Sequence, residues 1–167
     1  YSHYTHRLIK KAKLSTDVKN LMKTRIFRIK LFRDKKVIRE IEVLENANLY
    51  TLAEAIIGAY DFDFDHAFGF FSTIGERYFD SKRKYELFMD MEDGGIEPTG
   101  AKSVKKTKIS EVWKKIGDKM LFLFDYGDEW LFVVELVSFG TAEPKAKYPL
   151  VLKKVGTAPE QYPEVEE

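Results

Sequence analysis

Two short clusters carry most of the residues that could do chemistry. The first is Asp61-Phe62-Asp63-Phe64-Asp65-His66. In an extended chain the side chains alternate, so the three aspartates share one face. Carboxylate oxygens beside one imidazole suit Mg²⁺, Mn²⁺ or Zn²⁺, so a divalent metal is the cofactor the cluster would take. It is not a calcium loop, because the glycine and the terminal bidentate glutamate are missing. The plainer reading is a polar connection with solvated carboxylates and a histidine bonded to backbone. The second cluster is Asp125, Asp128 and Glu129 around Gly127, with Tyr126 and Trp130 beside them. Carboxylates at a hairpin tip can bind a cation or act as acid and base. Asp-Gly and Gly-Asp pairs also simply make turns. Spacing alone does not bring the two clusters together.

A third feature is the lysine series Lys102, Lys105, Lys106, Lys108, Lys114, Lys115 and Lys119, with Trp113 the one aromatic among them. Such a run can track a phosphate backbone, but the near absence of interleaved aromatics favours a solvated face. Missing motifs narrow the field. There is no Walker loop, no dinucleotide glycine fingerprint, no Gly-x-Ser-x-Gly elbow and no His-Glu-x-x-His. The chain has no cysteine, which excludes disulfides, thiol catalysis and iron–sulfur clusters.

The elements that must position these clusters read from periodicity. Arg25 to Phe32 and Val37 to Val43 alternate apolar and polar residues around the polar turn Arg33-Asp34-Lys35-Lys36, which predicts an antiparallel hairpin. Leu49, Leu52, Ala53, Ile56 and Tyr60 recur at helical spacing behind Asn48, a residue suited to cap a helix N-terminus. His66 to Ser72 reads as a short aromatic strand, with Gly69 marking a bulge or a close approach. Tyr85 to Met91 reads as another strand, Glu92 to Lys106 as a loop, and Ile109 to Ile116 as a short helix stopped by Gly117. Lys119 to Asp125 and Trp130 to Ser138 are the strongest strands. Gly127 is placed between them where a positive φ would fall. Tyr148 to Val155 is a last extended segment.

Strands that come as hairpins, with few helices, predict an α+β fold. Its sheet is mostly antiparallel, with one main helix and one short helix packed on it. The chain of 167 residues suffices for one domain with a radius of gyration of about 15 Å. With 44% hydrophobic and 33% charged residues it is neither disordered nor low-complexity. The chain opens on Tyr1, and Met22-Lys23-Thr24-Arg25-Ile26 reads as a natural start. The expected organisation is therefore a basic extension over 1–21 that need not be native, a single domain over 22–156, and a mobile acidic Pro/Glu tail over 157–167. The formal net charge of +1 divides unevenly, with +4 in residues 1–21 and −3 in the rest. An acidic body argues against nucleic acid as the main partner. No apolar run approaches about 18 residues, so no membrane partner and a cytoplasmic location are expected.

Taken together, the blocks resemble the Ri-plasmid open-reading-frame-three-like family, also labelled as insertion-element passenger TnpR proteins. The resemblance runs from about Arg25 to about Tyr162. It rests on Thr51-Leu52-Ala53-Glu54-Ala55-Ile56-Ile57-Gly58-Ala59-Tyr60, and on an Asp-x-Asp-His-x-x-x-Phe pattern at Asp63, Asp65, His66 and Phe70. It rests also on Gly117-Asp118-Lys119 with Phe124-Asp125-Tyr126-Gly127-Asp128-Glu129-Trp130, on Tyr148-Pro149, and on Ala158-Pro159-Glu160. The resemblance implies an α+β domain of unsettled biochemical function. Two departures stand out: Phe132 occupies a position where the pattern often has histidine, and the late cysteines are missing. A serine recombinase would need a nucleophilic serine with an arginine cluster, and none is present, so the TnpR label is not carried over.

Three functions are ranked. First comes a non-enzymatic binding or adaptor module with a protein partner, using an aromatic surface at Phe68, Phe70, Tyr126 and Trp130 beside His66. Second is a metal-dependent hydrolase or nuclease-like enzyme using Asp63, Asp65, His66, Asp125 and Asp128. Third is nucleic-acid binding through the leader and the Lys102–Lys119 region.

Overall fold

The computed structural model describes residues 22–91 and 100–164. The basic extension with Arg7, Lys10, Lys11, Lys13 and Lys19, most of the loop expected to begin at Glu92, and Glu166 and Glu167 lie outside the described residues.

The chain folds as a mixed sheet of eight strands in the order β5-β4-β3-β6-β7-β1-β2-β8. The strands are β1 (Lys23–Leu31), β2 (Ile38–Leu44), β3 (Phe68–Phe71), β4 (Lys84–Glu86), β5 (Lys102–Ser103), β6 (Lys119–Phe124), β7 (Trp130–Thr141) and β8 (Leu150–Val155). Helix α1 (Leu49–Ala59) and the single turn α2 (Ile109–Val112) accompany them. The α+β class holds. The sheet is not purely antiparallel, since β4 and β5 run parallel, pairing Tyr85 with Lys102 and Glu86 with Ser103.

The β1–β2 hairpin forms where alternation places it, with Phe27 opposite Ile41 and Arg28 opposite Glu40. Asn48 caps α1 by accepting the Thr51 amide at 2.9 Å. The apolar stripe of α1 is fully buried at Leu49, Leu52, Ala53, Ile56 and Ile57 against Phe27, Ile29, Ile41, Phe122, Phe132 and Val134. Trp113 fills the centre of this layer, edge-on to Phe27 at 5.0 Å, with its indole N–H donated to the Val134 carbonyl at 3.0 Å. Strand β6 is buried on both faces. Phe122 and Phe124 join the helix side, while Leu121 and Leu123 pack beneath with Phe71, Tyr78 and Leu131. A strand covered on both sides reads as a continuous apolar run, which is why it stands out in the sequence.

The rest of that second face is open and polar. The strand registers align Lys119, Glu135, Arg28, Glu40 and Lys153 in one row across β6, β7, β1, β2 and β8. Charges alternate along the row, and directly opposite pairs of unlike charge support a sheet. The Arg28 guanidinium reaches Glu40 Oε1 at 3.0 Å.

Arg39 is the cation the fold buries. Its guanidinium donates to the carbonyls of Ala59 (2.9 Å), Ile38 (2.8 Å), Val155 (3.0 Å) and Gly156 (3.1 Å), and it stacks on Tyr60 at 4.8 Å. It thus ties the end of α1 to the end of β8, and a cation at a helix C-terminus complements the helix dipole. Tyr60 bridges the turns from the other side, its hydroxyl 3.2 Å from the Ile29 carbonyl and 3.1 Å from that of Val37.

Some expected boundaries shift. The strand expected over Tyr85 to Met91 stops at Glu86, and Leu87–Asp90 winds into a 3₁₀ turn. The turn places the Asp90 carboxylate against the Ser103 hydroxyl and against the Val104 amide at 3.0 Å. The second helix ends at Val112 rather than Ile116, and Gly117 follows with φ +97°. Gly69 sits in β3 without a bulge. The Phe71 ring closes over it, so that a Cβ there would lie 2.9 Å from the ring. None of the helices among the described residues is long and apolar enough to cross a membrane.

Candidate functional site

The two acidic clusters meet, and sheet register is the reason. Strands β3 and β6 pair antiparallel with Phe68 opposite Phe124. His66 leads into β3 and Asp125 follows β6, so the register sets them side by side. The Asp125 amide continues the pairing by donating to the Ala67 carbonyl at 2.9 Å. His66 Nε2 lies 3.4 Å from Asp125 Oδ2 and 3.7 Å from Asp65 Oδ1.

Asp61, Asp63 and Asp65 are exposed, while Phe62 between them is buried and Phe64 half-buried. The alternation expected of an extended segment is therefore present. Phe62 packs on Trp130 at 4.8 Å and Phe64 stacks on Phe124 at 5.9 Å. These rings anchor the segment and turn the carboxylates outward.

The buried carboxylate of Asp125 organises its turn. Oδ1 accepts the amides of Gly127 at 3.0 Å and Asp128 at 3.2 Å. The left-handed backbone expected at Gly127 falls instead on Asp125 (φ +67°) and Glu129 (φ +51°). Aspartate tolerates that region because its short side chain can bond its own turn.

Residues that sequence reasoning left in the tail complete the cluster. Residues 157–162, expected to be mobile, lie as a strap along Asp63–His66. The Gln161 amide clamps the backbone of Asp63, accepting its N–H at 2.7 Å and donating to its carbonyl at 3.1 Å. Gln161 also donates to Asp65 Oδ1 at 3.3 Å. The Tyr162 hydroxyl donates to Asp65 Oδ2 at 2.8 Å and stands 2.7 Å from His66 Nε2. The hydrogen bond to Asp65, with the negative charges of Asp65, Asp125 and Asp128 around it, pushes the Tyr162 hydroxyl up to about 12. The sequence signal was a glutamine and a tyrosine inside an otherwise Pro/Glu-rich run.

This geometry limits the chemistry. A relay of the Ser-His-Asp kind needs the carboxylate on one ring nitrogen and the reacting hydroxyl on the other. Here Asp125, Asp65 and Tyr162 all face Nε2. Tyr162 gives its one proton to Asp65, so its oxygen accepts from Nε2–H, and the arrangement works as a latch. Nε2 is in contact with the Tyr162 hydroxyl, and among the described residues no group of three or more His, Asp or Glu side chains is arranged to hold a metal ion.

The remaining expected site residues diverge. The Glu129 carboxylate faces Tyr78 on the opposite side of the sheet; burial and this carboxylate raise the Tyr78 pKa. Tyr126 also points there, donating to Glu86 Oε1 at 2.7 Å; burial and that bond hold its pKa far above the usual tyrosine range. The aromatic surface does not form. Phe68 and Phe70 are fully buried under α1, because inward positions of β3 take the largest apolar rings. Trp130 is half-buried. The lysine series forms no single face: Lys105 lies over the Tyr50 ring at 5.0 Å, while Lys119 belongs to the open side of the sheet.

Beside the latch a cavity of about 350 Å³ opens between the β1–β2 turn, the β6–β7 turn and the strap. Leu31, Val37, Leu131, Pro159 and Trp130 supply its apolar wall. Arg33, Asp34 and Asp128 supply its charges, and Glu129, whose carboxylate faces Tyr78, also lines it. The Arg33 guanidinium is held by the Glu129 carbonyl at 3.1 Å.

Comparison with known proteins places this architecture. A crystal structure of the protein of unknown function MM3350 from Methanosarcina mazei Go1 superposes with a TM-score of 0.63 at 22% identity, over 81% of this chain and 71% of that one. The likeness is one of fold. No curated protein matches significantly. Phe132, at the position where histidine was expected from the family pattern, is a core residue here, 4.9 Å from Tyr60. The family model for plasmid pRiA4b ORF-3-like protein matches residues 23–163, without the TnpR label, and the chain belongs to that family.

Proposed function

We propose that the domain is a non-catalytic binding module whose ligand seat is the cavity beside Trp130, and that the ligand is a basic side chain on an extended segment of a protein partner. The charge balance of the cavity carries this reading. The carboxylates of Asp34 and Asp128 oppose the one cation Arg33 in a pocket walled by Trp130, Leu131 and Pro159. The Asp128 carboxylate makes no hydrogen bond or ion pair among the described residues. Asp61, Asp63 and Asp65 stand exposed on the neighbouring segment and add to the negative potential. A lysine or arginine offers an apolar stem for the wall and a cationic head for the carboxylates. An indole face adds cation–π attraction. The cavity volume falls at the small end of the range typical of ligand pockets.

The test is an amide NMR titration with acetyl-Val-Lys-Val-amide against the same peptide carrying Nε-acetyl-lysine. The charged peptide should give saturable shifts at Val37, Asp128, Trp130 and Thr157, and Asp128→Asn should weaken it severalfold. Equal binding of the acetylated peptide would refute a cation site.

A further inference from the structure

We infer that the open side of the sheet holds a second site, for a small organic phosphate. A cavity of about 320 Å³ lies there between the β1–β2 turn and the loop after β3. Its charges are Arg28, Lys30, Lys35 and Lys119, with Glu135 the one acid in its lining. Among the described residues no carboxylate lies within ion-pair distance of Lys30, Lys35 or Lys119. Arg28 is shared with Glu40 through a single carboxylate oxygen. The cavity is not merely a charged surface. Phe32, Ile74 and Val133 line it too, and Ile74 is one of the exposed large apolar residues of the molecule, at 39%.

The strand pattern explains how the cations gather. Arg28 and Lys30 alternate outward on β1, opposite Glu135 and Val133 of β7, and Lys119 continues the row from β6. Lys35 arrives from the turn. The ladder pairs Arg28 with Glu40 and leaves one carboxylate, Glu135 opposite Lys119, to face Lys30, Lys35 and Lys119. A phosphoryl group needs such converging donors, because ammonium groups bind phosphate as point charges. The apolar residues call for a ligand whose phosphate is carried on a hydrophobic or ring-shaped body. Phosphate strung along a single-stranded nucleic acid is the competing source. One partly buried phenylalanine offers one stacking platform, whereas a strand-tracking surface repeats them.

Phenyl phosphate, inorganic phosphate and a short single-stranded oligonucleotide are the probes, titrated into the full chain and followed by backbone amide shifts. Phenyl phosphate is expected to saturate, with shifts centred on Lys30, Phe32, Ile74 and Val133. The Lys30→Gln/Lys119→Gln double variant should weaken it at least tenfold. Lys119 is exposed and Lys30 half-buried on the open face, so an unchanged thermal midpoint will show that the variant is folded. Saturation that persists in the double variant would overturn the assignment, as would inorganic phosphate binding as well as phenyl phosphate. Much tighter binding of the oligonucleotide, with shifts running on into β2 and β8, would overturn it in favour of single-stranded nucleic acid.

Discussion

Replacing Arg39 with methionine keeps the apolar stem of the side chain and deletes its charge and donors. Arg39 as a residue is 3% exposed, and its guanidinium serves four carbonyls, those of Ala59, Ile38, Val155 and Gly156. Hydrogen bonds from a charged donor contribute about 1.5–3 kcal/mol each before the cost of burying the charge. Methionine removes that cost along with the bonds, so the net loss comes from the carbonyls left short of a partner. Two to three such groups at about 1 kcal/mol each give a destabilisation of about 2–4 kcal/mol. For a domain of this size that is roughly 5–15 °C in the thermal midpoint. Urea unfolding of wild type, Arg39→Met and Arg39→Lys would measure it. Lysine should fall between, because its ammonium donates without the planar fork. Since Val155 and Gly156 lead directly into the strap, hydrogen exchange at the Asp63 amide, bonded to Gln161, should accelerate more than exchange at core amides of β6. A methionine variant within about 0.5 kcal/mol of wild type would refute the reasoning, showing that water replaces the guanidinium at those carbonyls.

The strap itself has a pH signature. Tyr162 keeps its proton past the usual tyrosine value of about 10, so the latch is intact below pH 10 and is lost as pH climbs through about 12. Tyrosinate absorbance in wild type minus Tyr162→Phe should show that late component, and a component near pH 10 would contradict the latch. Gly69→Ala drives a Cβ to 2.9 Å from the Phe71 ring and 3.0 Å from Glu86 Cγ; overpacking of this kind costs about 1–3 kcal/mol, read from denaturant midpoints. Tyr60→Phe removes the hydroxyl between the Ile29 and Val37 carbonyls. It should cost about 1 kcal/mol with an unchanged denaturant slope.

What the sequence showed were features with a local cause. The β1–β2 hairpin, the Asn48 cap, the stripe on α1 and the doubly buried β6 each follow from period or capping within a few residues. The candidate site depended on longer reach. Asp65, His66 and Asp125 were recognisable by type, but their meeting is set by the β3–β6 register, which pairs segments far apart in the chain. Gln161 and Tyr162 escaped for the same reason: a glutamine and a tyrosine in a tail rich in proline and glutamate do not say that one will clamp the backbone of Asp63 and the other will meet Asp65 and His66. Phe68 and Phe70 failed in another way. Aromatic side chains serve a core and a binding surface equally well, and only α1 lying over β3 decides for the core. At the β6–β7 turn the glycine drew attention, while the strained backbone went to Asp125, whose carboxylate caps two amides of its own turn.

Near-neutral total charge conceals a separation with a structural origin in the β1–β2 turn. Arg33 and Asp34 line the cavity beside Trp130, while Phe32 and Lys35, on either side of them, line the cavity on the open sheet face. Neighbouring residues of one tight turn thus serve as the two sides of a wall. On one side the charges are mainly carboxylates, from Asp34 and Asp128. On the other they are mainly amines, from Lys30, Lys35 and Lys119. Tyr60 and Arg39 fasten the base of the same hairpin to α1 and to the strap. A cation in the proposed seat beside Trp130 and an anion in the proposed phosphate site would attract one another across this wall, the more weakly as salt is raised.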